Sequence, residues 1–241
     1  MPTRSLPRQV RDGFPRARPA GEVVADLVDT CRGSGFAPGH ALLLAGACRD
    51  EVCLPFVGRL EAVWGPAFHV GSLAGLLMLG RSGLAAAAHH APEDPGQPQR
   101  FVVVACAHVG MDAAGTFGYL RREHQSVSSR ACGALMAFRD ELVVGRLALG
   151  FDPVDPEMSL LRQRISSALH YGEVPDVVEL TQLVADVIAD DLDALLSWYI
   201  ARPGLDQDVA FHVVTGVLVH TVAGDWFAAE PARTWRSGAP S

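Results

Sequence analysis

The chain has 241 residues, 49% apolar and 20% charged, which suits one sizeable globular domain and excludes a disordered protein. A formal charge of −7 is a poor match for nucleic acid as the main partner. All 20 basic residues are arginine, and the absence of lysine excludes Schiff-base chemistry and a Walker-type phosphate loop.

The first 20 residues are rich in Arg and Pro and are expected as a disordered tail. A helix is predicted over Glu22–Cys31, where Val23, Val24, Leu27 and Val28 recur at helical spacing. His40–Ala47 reads as the first strand, a continuous apolar run that stops at Cys48. Glu51–Trp64 is predicted as a helix with Val52, Phe56, Leu60 and Val63 on one face, closed by Gly65-Pro66. Ala67–Val70 suits a short strand, and Ser72 would cap a small helix over Leu73–Leu79. Leu84–Ala88 reads as a strand of small residues running into His89-His90, before a Pro/Gly loop at 92–99.

Phe101–Ala107 is the clearest strand after the first, ending at His108. Asp112–Gly115 is a turn signal and Thr116–Leu120 a hairpin return strand. A helix is expected from about Ala131, with Leu135, Met136, Phe138 and Leu142 as its apolar positions. From Pro153 only helices are expected: Leu160–Leu169, then Val177–Ile200 with a long apolar stripe, then a break at Pro203-Gly204. Val209–Ala223, apolar nearly all round, reads as a buried helix. These elements predict a single α/β domain over 21–230, a short, mostly parallel sheet flanked by helices with extra C-terminal helices. Residues 231–241 are expected as a second disordered tail.

Five cysteines, at 31, 48, 53, 106 and 132, are an odd number, and three lie in or beside apolar runs. That favours a reducing cytoplasm, with some cysteines used for metal or reactivity, over a disulfide framework. No apolar run approaches the roughly 18 residues of a membrane span, and no apolar h-region marks a secretory signal. The chain is therefore expected to be cytoplasmic, with neither membrane nor nucleic acid as partner.

Three potential ligands stand at equivalent places in this reading. Cys48 and His108 follow the two best strands, and Cys132 opens a helix whose N-terminus favours a thiolate. Two thiolates and an imidazole are donors zinc prefers, and three protein ligands leave a fourth position open. Asp50 lies two residues past Cys48. Spacing alone equally allows two packed cysteines and a hydrogen-bonded loop histidine. Cys106 alternates to the face of His108 and is read as core, as are Cys31 and Cys53.

Read together, Cys48-Arg-Asp-Glu51, Ser72-Leu-Ala-Gly75, His89-His-Ala-Pro92, His108-Val-Gly110 and Ala131-Cys-Gly-Ala134 resemble, in order, the limiting-CO2-inducible protein B/C family. That family is similar to β-carbonic anhydrases and is sometimes placed in a separate θ class. The resemblance covers roughly 21–141 strongly and the later helices more loosely. It implies a β-carbonic-anhydrase-like fold, a homodimer, and zinc held by Cys48, His108 and Cys132 with Asp50 beside it. It also implies reversible hydration of CO2 to bicarbonate by zinc-bound hydroxide. Cys106-Ala107 stands where Gly-Pro or a similar pair is expected, and Glu123-His124 replaces a glycine-containing turn.

In β-type carbonic anhydrases an arginine holds this aspartate off the metal. The residue four places after Cys48 is Val52, so the arginine must come from elsewhere, Arg122 first and Arg59 second. Asp50 would accept the hydrogen bond of the attacking water or pass its proton outward, or else ligate zinc and close the site. His89 is a candidate for lining the pocket or shuttling protons. His212 and His220 are read as packing. Two rival readings stay open, a catalytically silent zinc-stabilised partner or sensor in inorganic-carbon handling, and a metal-free cysteine enzyme using Cys132 with His108.

Overall fold

The computed structural model describes residues 5–202 and 208–237. In chain order they form α1 (Arg8–Gly13), β1 (Ala17–Pro19), α2 (Ala20–Ser34), β2 (Leu42–Gly46), α3 (Leu54–Trp64), β3 (Phe68–His69), α4 (Gly80–Ala88), β4 (Gln99–Met111), β5 (Tyr119–Leu120), β6 (Ser129–Arg130), α5 (Gly133–Val143), α6 (Pro156–Ala168), α7 (Val177–Ala201), β7 (Val209–Thr221), β8 (Gly224–Ala229) and β9 (Arg233–Arg236). Single 3-10 turns occupy Glu51–Cys53 and Leu73–Gly75.

Among the described residues, seven strands make one mixed sheet in the order β1-β8-β7-β4-β2-β3, with β9 also paired to β7. The β3–β2, β2–β4 and β4–β7 pairs are parallel, and β8 and β9 run antiparallel to β7. The centre of the sheet is the β4–β7 pair, in register from Gln99↔Val209 to Met111↔Thr221. Helices cover both faces. Tyr199 of α7 packs on Phe211, and Phe56 of α3 stacks on Phe227, which pairs with Leu218. Phe211 and Leu218 alternate to opposite faces of β7, so α7 and α3 form the outer layers. The fold is the α/β class with a helix-flanked sheet that the sequence predicts. Among the described residues only three of the six strand pairs in that sheet are parallel, so it is mixed rather than mostly parallel.

Local signals explain most helices. Val24, Leu27, Val28 and Cys31 bury the inner face of α2. A capping box of Asp176 and Glu179 starts α7, and Leu180, Val184, Val187, Ile188, Leu192, Leu196 and Tyr199 make its buried stripe.

Several expectations are corrected. Val209–Thr221 is a strand, not a helix, and all of it is buried. A strand covered on both faces loses the polar alternation, so only its β-branched content (Val209, Val213, Val214, Thr215, Val217, Val219, Thr221) distinguishes it from a buried helix. The alanine-rich Leu84–Ala88 run belongs to helix α4, as alanine's helix propensity favours. Leu73–Leu79 makes only one turn, because Ala74 and Gly75 adopt positive φ and Leu77 turns back to bridge Gly71. Ser72 does not cap it; its hydroxyl donates to the Leu76 carbonyl at 2.8 Å. The return strand expected at Thr116–Leu120 meets β4 only at the Met111↔Phe117 bridge, and its end, β5, pairs with β6 instead.

The ends of the described chain are paired where tails are expected. Val10 and Phe14 are buried, and β1 pairs with β8. At the other end β9 pairs with Ala210–Val213 of β7, and Arg233 is ion-paired to Asp193 of α7. The Pro203-Gly204 break lies outside the described residues. No helix among the described residues is long and apolar enough to cross a membrane.

Candidate metal centre

The β2–β4–β7 sheet and the start of α5 bring Cys48, His108 and Cys132 to one point. Cys48 lies two residues past the end of β2. His108 is inside β4, opposite Leu218, because the strand continues three residues beyond it. It therefore projects to the same sheet face as Leu218, the α3 face. Cys132 is the residue that caps α5. What carries it to His108 is Gly110, whose N–H donates to the Ala131 carbonyl at 2.8 Å. A Cβ on Gly110 would stand 2.9 Å from the Tyr119 carbonyl and 3.0 Å from the Ala131 Cβ, so only glycine permits this approach.

The donor atoms of Cys48, His108 and Cys132 all lie within 4.8 Å of one another. The two sulphurs are 3.7 Å apart. All three residues are buried, and both ring nitrogens of His108 lack a hydrogen-bond partner. A buried imidazole without a partner is destabilising by itself. A metal ion beside the two sulphurs would satisfy one of those nitrogens. Two sulphurs and one imidazole, with no fourth protein donor in the cluster, fit a zinc ion with an open position.

The electrostatics favour thiolate at this point. The Cys132 thiol and then His108 pull the Cys48 pKa down to about 4 against the effect of burial. The Ala74 N–H, 3.2 Å from the Cys48 sulphur, adds a backbone donor. That N–H is aimed by the Leu73–Gly75 turn, in which Gly75 has φ +87° and a Cβ would meet the Cys106 carbonyl at 2.0 Å. Cys132 is held well above its ordinary value by the Cys48 sulphur and by burial, while the Leu135 and Ala134 N–H groups of α5 pull the other way. One negative charge is thus shared in the metal-free cluster, and a cation would stabilise the second thiolate.

Asp50 and Arg122 meet. Arg122 Nη2 donates to Asp50 Oδ1 and Oδ2 at 2.9 and 3.0 Å, and Oδ1 also accepts from the Val52 N–H at 3.4 Å. Arg122 is itself held by Glu51, by Ser129 and by the Arg130 carbonyl at 3.2 Å. The hydrogen bond from Arg122 holds the Glu51 carboxyl below its ordinary pKa. Arg49, beside Cys48, donates to both oxygens of Glu157, one of which also accepts the Leu73 N–H at 3.2 Å. This ties the Cys48 loop, the Leu73–Gly75 turn and α6 together.

The remaining candidates lie elsewhere. Arg59 is exposed on α3 and packs against Gly21 of α2. His89 is exposed at the end of α4, and no contact among the described residues links it to the cysteine cluster. It was expected at the end of a strand aimed into the site, but the run before it is a helix. Cys106 is buried in β4 outside the cluster, its pKa raised to about 12 by burial and then by Cys48. The histidine that does stand beside His108 is His220, with ring centroids 5.5 Å apart. Reading β7 as a helix hid it. The signal that reveals it is a β-branched run followed by a short turn, with His220 and Asp225 flanking that turn. The 450 Å³ cavity at Glu93–Pro98 and Asp208 lies at the start of β4, away from this centre.

A family model described as limiting CO2-inducible proteins B/C, β-carbonic anhydrases, matches residues 17–235. Comparison with curated protein sequences gives no match. Among solved structures, the chain is similar to PtLCIB4, a homologue of the limiting CO2-inducible protein LCIB, with TM-score 0.81, 24% identity and 95% of each chain covered. It is also similar to LCIB itself, with TM-score 0.72, 24% identity and 95% of each chain covered. At these identities the structural likeness speaks for the fold. The family match spans nearly the whole chain, and the protein belongs to the limiting CO2-inducible protein B/C family, a β-carbonic-anhydrase-like family.

Proposed function

We propose that the protein is a zinc-dependent carbonic anhydrase that reversibly hydrates CO2 to bicarbonate. The observation that carries this reading is the buried convergence of Cys48, His108 and Cys132 within 4.8 Å, beside an aspartate held by an arginine. Zinc held there supplies Lewis acidity, lowering the pKa of a water from about 15.7 toward 7.

The chain's own groups do the rest. Cys48 and Cys132 supply two negative charges and His108 a neutral donor, so the set as a whole is charge-balanced with a dication. Asp50 orients the attacking water. Both its oxygens are engaged by Arg122, which supports its staying off the metal and leaving the fourth position open. Asp50 Oδ2 has a single partner and so keeps a lone pair able to accept the water's proton. Arg122 fixes the orientation of that carboxylate and is in turn fixed by Glu51 and Ser129. The exposed apolar side chains Val143, Val144, Leu149, Phe151 and Val154, on the α5–α6 connection, support a homodimer. Light scattering should then return twice the 25.6 kDa of one chain.

Metal analysis together with stopped-flow CO2 hydration from pH 7 to 9 tests the reading. About one zinc per chain and a rate above buffer are expected. Zinc without rate would leave the silent partner or sensor; rate without metal would leave the cysteine enzyme.

A further inference from the structure

His108 has two buried ring nitrogens without partners, and one metal ion accounts for only one of them. The other needs an acceptor, since a metal-ligating histidine is ordinarily oriented by a hydrogen bond from its distal N–H. Resting on the zinc reading above, we propose that His220, held by Asp225, is that acceptor and acts as a positioning residue for His108.

Strand register puts the three side chains in line. His108 is paired with Leu218, so His220, two residues on, projects to the same face of the sheet. The β7–β8 hairpin turns at Val222-Ala223 and places Asp225 directly opposite His220. His220 Nδ1 lies 2.9 Å from Asp225 Oδ1. A carboxylate there accepts a hydrogen bond from Nδ1–H, which fixes the tautomer that leaves Nε2 as an acceptor. That nitrogen faces inward, where its partner is the Cys53 sulphur at 3.8 Å, a long and weak contact that an imidazole N–H from His108 would replace. Donor atoms of Cys53, His108 and His220 lie within 4.8 Å of one another, and the two imidazoles meet edge to face at 74°. Asp225, partly exposed, anchors the outer end of the line, and His220 is 2% exposed.

The same trio also has the composition of a second metal site. Two features favour the positioning role instead. His108 is already needed by Cys48 and Cys132, and His220 already spends one nitrogen on Asp225.

The test compares the full-length wild type with His220→Phe, which keeps a ring and removes the acceptor, and His220→Gln, which returns an acceptor oxygen. Three readouts are used: zinc stoichiometry, zinc affinity by chelator competition, and the visible absorption of the cobalt-substituted protein. Denaturation of the metal-free proteins separates folding from ligation. His220→Phe is expected to bind zinc about 10- to 100-fold more weakly and to shift the cobalt bands, with His220→Gln recovering most of both. Wild-type affinity and spectrum in His220→Phe would overturn the proposal while leaving the zinc site intact. Equal loss in both variants would reduce His220 to packing and overturn it too. Two zinc ions per wild-type chain would make the trio a metal site instead. A wild type that binds no zinc would sink the parent reading, and this one with it.

Discussion

At the scale of single residues, the proposed function assigns some groups to holding metal and others to orienting a proton. Cys48→Ser or Cys132→Ser is expected to lower bound zinc from about one per chain to near zero, as read by metal analysis. Asp50→Asn and Arg122→Leu should keep the zinc and lose about 100-fold or more in CO2 hydration. Loss of metal in Asp50→Asn would instead make Asp50 a ligand. A histidine far from the centre contributes to the acid sensitivity of the fold. His212 is buried beside Phe36 with ring centroids 5.6 Å apart, its Nε2 has no partner, and burial lowers its pKa below 6.5. The folded chain therefore keeps it neutral while the unfolded chain takes up a proton first. Its contribution is present above pH 6.5 and is lost as pH falls below that value, by up to about 1.4 kcal/mol per pH unit. Denaturant midpoints at pH 7.5 and 5.5 should therefore lie closer together in His212→Gln than in the wild type.

Among the elements, the backbone at Gly75 shapes the turn whose N–H faces the Cys48 sulphur. Gly75→Ala places a methyl group 2.0 Å from the Cys106 carbonyl at φ +87°, and a loss of roughly 2–4 kcal/mol is expected in urea denaturation. Gly133→Ala is the control, with nothing within 4 Å and a helical position, and should be neutral within about 0.5 kcal/mol. Equal effects would mean that the crowding at Gly75 is relieved by movement. The same contrast bears on what the sequence reveals. Cys48 is legible because an apolar run stops beside charged residues, and Cys132 because a serine-rich segment opens a helix. His108 is legible as the residue that follows a strand, but not as a residue inside β4, which runs on past it to Met111. Arg122 is legible only through the family resemblance, since nothing local marks its 72-residue reach to Asp50. His220 is not legible while 209–223 reads as a helix, because register across the sheet, and no spacing within the run, creates its contact. The pairing of β1 and β9 is likewise non-local. Neither short segment has apolar periodicity of its own.

For the whole molecule, two antiparallel strands close the sheet along one side of β7. β8 covers its second half and β9 its first, so β7 has no free edge where either lies. A chain ended at Glu230 would expose the backbone of Ala210–Val213, an apolar edge open to intermolecular pairing. Such a chain should show a lower thermal midpoint and concentration-dependent aggregation by light scattering. An unchanged midpoint would mean that β9 contributes nothing to the fold.

The three donors of the proposed metal centre come from positions 48, 108 and 132, on segments that only the finished sheet brings together. An unfolded chain would have to close loops of many tens of residues to assemble them, so it should bind the ion poorly. Folding and ion uptake are then one equilibrium viewed from two sides. Each tenfold excess of free zinc over its dissociation constant should add about 1.4 kcal/mol to the free energy of unfolding. Melting temperature measured against buffered zinc therefore becomes an affinity scale, available even for a variant that no longer turns over CO2.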